Sequence, residues 1–139
     1  MWLYILSAIT VLALVANGLN PASRHARLYF LDARGTKLVA ETRDLSLVGS
    51  LEQRSQKVLQ ELMLGPFSYE LQPLFRQDVR LVGVMHRGNK LTVELTIPDL
   101  AGLDVSFKLI RAAFEKSLAE SVPGAGELDL YVNGALALR

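Results

Sequence analysis

The 139-residue chain has no cysteine, which excludes disulfides, thiolate metal sites and lipid attachment through an N-terminal Cys. It also has no Asp, Glu, Lys or Arg before Arg24, so its 15 basic and 14 acidic residues all fall between Arg24 and Arg139. That near balance of sign argues against a nucleic-acid binder, which shows a basic excess or stripe. No GxSxG, Walker A, HExxH or GxGxxG string is present. The two histidines, His25 and His86, have neither a carboxylate nor a second His at ligand spacing. The expectation is therefore no catalytic residue, no metal and no cofactor. The length allows one ordinary domain, large enough to bury a core without staples.

What is present first is an apolar run. Residues 2–19 read WLYILSAITVLALVANGL, and eighteen helical residues reach about 27 Å, close to the hydrocarbon thickness of a bilayer. A secretory signal would carry a basic start, a shorter apolar stretch and a small-x-small cleavage site. Here the only positive group before the run is the α-amino group, and Leu14-Val15-Ala16 is a poor site. Residues 1–22 are expected to form an uncleaved membrane anchor, with a cleaved export signal as the alternative. A buried core helix is disfavoured because the run has no polar face. The first basic residues, Arg24 and Arg27, follow the run and by the positive-inside rule favour a cytoplasmic body, so charge alone leaves the orientation open.

After a polar linker over 20–23, residues 27–31 have strand character, 32–36 turn chemistry, and 37–43 a return strand. Ser50 with Gln53 forms a capping box for a helix that turns Leu51, Ser55, Val58, Leu59 and Leu62 inward and ends at Gly65-Pro66. Residues 67–78 lack periodicity and read as a loop pinned by Phe67, Tyr69, Leu74 and Phe75. A hairpin follows, with strands 80–86 and 90–96 about an Arg87-Gly88-Asn89 turn; Leu91, Val93 and Leu95 alternate strictly with polar neighbours. A second helix, capped near Asp104, carries Phe107, Ile110, Phe114 and Leu118 inward and Lys108, Arg111 and Glu115 outward. The last strand, 127–133, alternates as cleanly. The order ββαββαβ predicts an α+β two-layer sandwich, a mixed β-sheet with two helices on one face. The other face, bearing Glu41, Arg43, Thr92, Glu94, Asp129 and Tyr131, is expected to be solvated.

These motifs in this order resemble the GerMN domain family, a module of spore germination and sporulation proteins. RLYFLDARGTKLVAETRDL is similar to the family's opening hairpin, LQELMLGP to its helix end, and ELDLYVNG to its terminal strand, closing here at Asn133-Gly134. LVGVMHRGNKLTVELT resembles the central hairpin, with Glu94 and Thr96 where the family usually has Asp and Ser. The resemblance spans residues 26–134 in a single copy, without the lipoprotein Cys of some relatives. It implies an extracytoplasmic, non-catalytic envelope domain, membrane-tethered and supporting assembly of a sporulation-type complex.

Function is therefore expected to act through a surface. The candidate partner surface is Lys108, Arg111 and Glu115 on the second helix, or the sheet face with Tyr131 as its aromatic anchor. Partners are expected to be the membrane, through the N-terminal segment, and an envelope protein, with no nucleic acid. The alternative is an envelope domain that binds a small ligand or glycan, which needs a concave pocket; the sequence offers no cluster of exposed aromatics for sugar stacking. A hydrolase assembled from scattered residues is the third reading. Asp99 and Asp104 are its nearest acid pair, yet Asp104 is accounted for as a helix cap and Glu94 and Asp129 by solvation.

Overall fold

The structure, a computed structural model, describes residues 23–137. The expected anchor over 1–22 lies outside the described residues. The elements follow one another as strands β1 (Ser23–Leu31) and β2 (Leu38–Ser46), helix α1 (Leu51–Leu64), strands β3 (Arg80–Arg87) and β4 (Lys90–Thr96), helix α2 (Phe107–Ser121), and strands β5 (Glu127–Val132) and β6 (Ala135–Leu136). This is the α+β order ββαββαβ with a two-residue strand added at its end.

The strands pair in two sheets, β1-β2 and β3-β4-β5-β6. In the larger one β3 and β4 are antiparallel, β4 and β5 parallel, and β5 and β6 antiparallel, so it is the mixed sheet. Parallel neighbours need a crossover, and α2 supplies it between β4 and β5. A reason for the separate first hairpin lies at the edge of β1. Ser121 Oγ accepts from Arg27 N at 3.0 Å and donates to Arg27 O at 3.1 Å, while Ser117 Oγ accepts from Tyr29 N at 2.9 Å. Two serines one helical turn apart thus occupy backbone groups that a further strand would use.

The core forms where these layers meet. Ala26, Leu28 and Phe30 of β1 are fully buried with Val58, Leu59 and Leu62 of α1, Ile110 and Phe114 of α2, and Leu91, Val93 and Leu95 of β4. Phe114 meets Phe75 edge-on, ring centroids 6.3 Å apart. The Ser50–Gln53 capping box is formed as expected. Helix α2, by contrast, is capped by Ser106, whose hydroxyl accepts from Leu109 N. Asp104 stays exposed 3.8 Å from Arg76, because the preceding loop is held by Asp99, which exchanges hydrogen bonds with Gln77 and accepts from Gly102 N.

One end of the domain gathers the start of β1, the end of β2, the start of α1, the β3–β4 turn and the end of α2. Ser23 pairs with Ser46, His86 N donates to Glu52, and Glu127 N donates to Asn89 O at 2.9 Å. Gly126 permits that last approach, since a Cβ there would lie 2.3 Å from the Asn89 carbonyl oxygen. The opposite end carries the β1–β2 turn, the 65–79 loop and the start of α2. Helix α1, with 14 residues, separates the two ends by about 21 Å.

Candidate functional site

Arg43 was expected on a wet face of the sheet; it is 5% exposed. Its strand alternation explains this, because Glu41, Arg43 and Leu45 share the side of β2 that faces α1 and the core. The guanidinium donates to Glu41 Oε1 at 2.7 and 2.9 Å, to Glu61 Oε2 at 3.1 Å and to Gly65 O at 2.6 Å. It lies 5.3 Å from the Phe30 ring centroid on one side and 3.7 Å from that of Phe67 on the other. A charge withdrawn from water is tolerated only when paired and hydrogen-bonded in this way.

The same cluster fixes the loop that follows α1. The Glu41 carboxylate accepts from Phe67 N and Ser68 N at 3.0–3.2 Å as well as from Arg43. Burial by itself would raise its pKa, but the Ser68, Arg43 and Phe67 hydrogen bonds and the Arg43 charge outweigh it and hold the carboxyl below its ordinary value. Leu31 and Gln72 exchange backbone hydrogen bonds farther along, and Leu74 and Phe75 are buried. The loop is thus ordered from Gly65 onward.

Of the four side chains expected to pin it, Leu74 and Phe75 do so from the core, while Phe67 and Tyr69 do not. Phe67 is 79% exposed, with one face on Arg43, and Tyr69 is 97% exposed; Leu64, at the helix end, is 77% exposed. Three large apolar side chains within six residues stand in water on a backbone held by Arg43 and Glu41. Rigid aromatic display of this kind suits recognition, because little conformational entropy is lost on contact. Phe67 and Tyr69 are thus two exposed aromatics in one loop, whose exposure the sequence did not reveal.

The candidate residues on α2 and β5 fall into two places. Lys108 is exposed, while Arg111 is half-buried and bound within the molecule, donating to Glu115 Oε1 at 2.7 Å and to Leu128 O at 3.1 Å. Arg111 and Glu115 line a concavity of about 580 Å³ between α2 and the starts of β4 and β5, with Lys90, Leu118, Leu128 and Asp129 among its other walls. Tyr131 is elsewhere. It alternates with buried Leu130 and Val132, so it stands on the opposite side of β5 from the residues that pack into the core, opposite Glu94 of β4. Lys90 reaches Asp129 at 3.4 Å, so Asp129 is an ion-paired surface residue.

Of the remaining titratable candidates, Asp99 and Asp104 line one cavity of about 280 Å³ with Arg76 and Gln77, and the two histidines are not among its walls. His25 contacts Asp44 across the β1–β2 hairpin, a carboxylate that sequence spacing did not reveal; both side chains are largely exposed, where such a pair contributes little. His86 is half-buried at the far end of β3, and Asp99 is engaged in its own loop. Among the described residues no three His, Cys, Asp or Glu side chains are grouped to hold a metal ion. Among them, too, no helix is long and apolar enough to cross a membrane.

The model of the Germane family, described as sporulation and spore germination, matches residues 27–137. The tandem GerMN domains of the sporulation protein GerM from Bacillus subtilis share the fold, with a TM-score of 0.60 and 19% identity. That match covers 83% of this chain and 40% of that one, so this chain spans about two fifths of the tandem structure. A Clostridium perfringens protein provisionally described as a lipoprotein matches with a TM-score of 0.49 and 23% identity, over 82% of this chain and 77% of that one. No protein of curated function matches.

Proposed function

The chain belongs to the Germane family, and from that premise we propose that it is a non-catalytic, membrane-tethered module on the outer side of the membrane that binds a protein of a sporulation- or germination-type envelope complex. The tether is the uncharged run over residues 2–19. The observation that carries the binding role is the loop after α1. Leu64, Phe67 and Tyr69 are each exposed within six residues, while buried Arg43 and half-buried Glu41 bind the backbone among them at Gly65, Phe67 and Ser68. An apolar patch kept in water at the cost of a buried charge cluster is accounted for by a partner that covers it. The polar stripe of Lys108, Arg111 and Glu115, and Tyr131 on the sheet face, are subordinate surfaces. Arg111 and Glu115 already satisfy one another, so their contribution is charge steering at the rim.

The absence of cysteine makes the test clean, since a single Tyr69→Cys substitution carries the only thiol. A short crosslinker on that thiol, in membranes of cells expressing the full chain, should capture one defined protein. The same linker at Asn89, on the exposed β3–β4 turn at the opposite end of the domain, should not capture it. Equal capture from both positions would remove the reason for assigning recognition to this loop. The alternative of a small polar ligand is favoured by one feature, the mixed-charge concavity beside Arg111. A small molecule that raises the melting temperature of wild-type protein but not of Glu115→Ala would establish it.

A further inference from the structure

The end of the domain that gathers β1, the β3–β4 turn and the C-terminus of α2 is set by the sequence very close to the apolar run. Only residues 20–22 separate Leu19 from Ser23, the first residue of β1. Three residues reach at most about 10 Å fully extended. The headgroup layer on one side of a bilayer is itself roughly 5–8 Å thick. A domain tethered this way cannot lift its base clear of the lipid surface.

The base is suited to that surface. Arg24 and Arg87 are exposed there and, among the described residues, have no carboxylate within ion-pair distance. Lys90 pairs with Arg87 across the β3–β4 turn and is ion-paired with Asp129. Val48, just after β2, is 55% exposed. The acidic groups nearby are mostly engaged: Asp44 with His25, and Glu52 with the His86 backbone. Glu127 is exposed as well, and Glu52 keeps its negative charge while accepting from that backbone, so what suits an anionic surface here is the pair of arginines without an ion-pair partner and not a net positive base.

We propose that this end rests on the anionic headgroups of the membrane, with Arg24 and Arg87 contacting lipid phosphates and Val48 at the interface, so that the Phe67–Tyr69 loop points away from the bilayer. Anionic surfaces attract juxtamembrane cations at short range, and the attraction is screened by salt. The proposal rests on the tether reading above. It adds a fixed orientation, which a flexible leash would not give.

The test uses the full chain in protein-free vesicles of phosphatidylcholine with and without phosphatidylglycerol, the lipids carrying a headgroup quencher. A fluorophore is placed at Asn89→Cys, in the β3–β4 turn, or at Ala33→Cys, at the opposite end. With phosphatidylglycerol the Asn89 label should be quenched several-fold more than the Ala33 label. The difference should shrink at high salt and in the double variant Arg24→Glu/Arg87→Glu, which still floats with the vesicles. Protein that fails to float after an alkaline wash would overturn the tether itself. Protein that floats with equal quenching at both positions would overturn the orientation while leaving the tether standing. Preferential Asn89 quenching that is the same in neutral vesicles would overturn the contact with anionic headgroups.

Discussion

Arg43 is held between two aromatic rings with its nitrogens spent on two carboxylates and a carbonyl oxygen. Removing one partner of such a buried cluster leaves the others uncompensated, so Arg43→Ala should destabilise the domain by about 3–5 kcal/mol in denaturant unfolding. A loss near zero would mean that the guanidinium is hydrated in solution. Glu41 makes a related prediction in pH. Its carboxyl titrates below its ordinary 4.5 in the folded state, so its contribution is full above that pH and disappears as pH falls through the lower folded value. Glu41→Gln should therefore lower the melting temperature at neutral pH and flatten the acid limb, the two curves converging below pH 4.5. Parallel curves would contradict the assigned hydrogen bonds. None of this cluster was legible in the sequence. Alternation in β2 was visible, but which face was wet depended on where α1 packed, and Arg43 was placed on the outer face because charged residues are seldom buried.

At the scale of elements, the sequence carried the fold well wherever one side of an element is apolar. The alternation of Leu91, Val93 and Leu95 and the box of Ser50 and Gln53 each appear in place. It carried less where polar residues build the architecture. Ser117 and Ser121 are buried on α2 along with Phe114 and Leu118, where they finish the edge of β1 and so help keep the first hairpin apart from the larger sheet. Ser121→Ala strands the Arg27 N–H and carbonyl together, and should cost about 1–3 kcal/mol. Faster amide exchange at Arg27 and Tyr29 in the double variant Ser117→Ala/Ser121→Ala would locate the loss; unchanged exchange there would show that the serines are incidental. Asp104 and Ser106 are both good caps two residues apart, and only the loop held by Asp99 and Gln77 decides between them. The hydrophobic framework makes a harsher prediction. Leu62→Asp and Phe114→Asp each bury an unpaired charge and should lose more than about 4 kcal/mol, whereas Glu94→Gln, partly exposed on the other side of β4, should stay within about 0.5 kcal/mol.

For the whole molecule, the fold has a base and a tip. The apolar run joins at the base, and the exposed Leu64, Phe67 and Tyr69 stand at the tip, about 21 Å away along α1. The family was legible from four short motifs in order, because strands, turns and caps impose residue types locally. The tip was not, because exposed aromatics and core aromatics look alike until the chain is folded. Asp99 and Asp104 share a cavity without either histidine, and single Ala variants of Asp99, Asp104, His25 and His86 should each leave the cellular phenotype intact. Loss of function from any of them in a folded protein would favour an enzyme.

The central claim is that the domain works by presenting this tip to a protein. It is tested most directly by co-purification of the crosslinked partner, identified at Tyr69, with full-length Tyr69→Ala from detergent-solubilised membranes. Tyr69 is almost fully exposed, so its removal touches no packing. The account predicts a melting temperature equal to wild type, unchanged membrane association, and partner recovery reduced at least about tenfold, the effect of losing 1.4 kcal/mol at an interface anchor. Lys108→Glu/Arg111→Glu should reduce recovery less, and mainly at low salt. Undiminished recovery with Tyr69→Ala, in protein that melts and floats as wild type does, would contradict the claim.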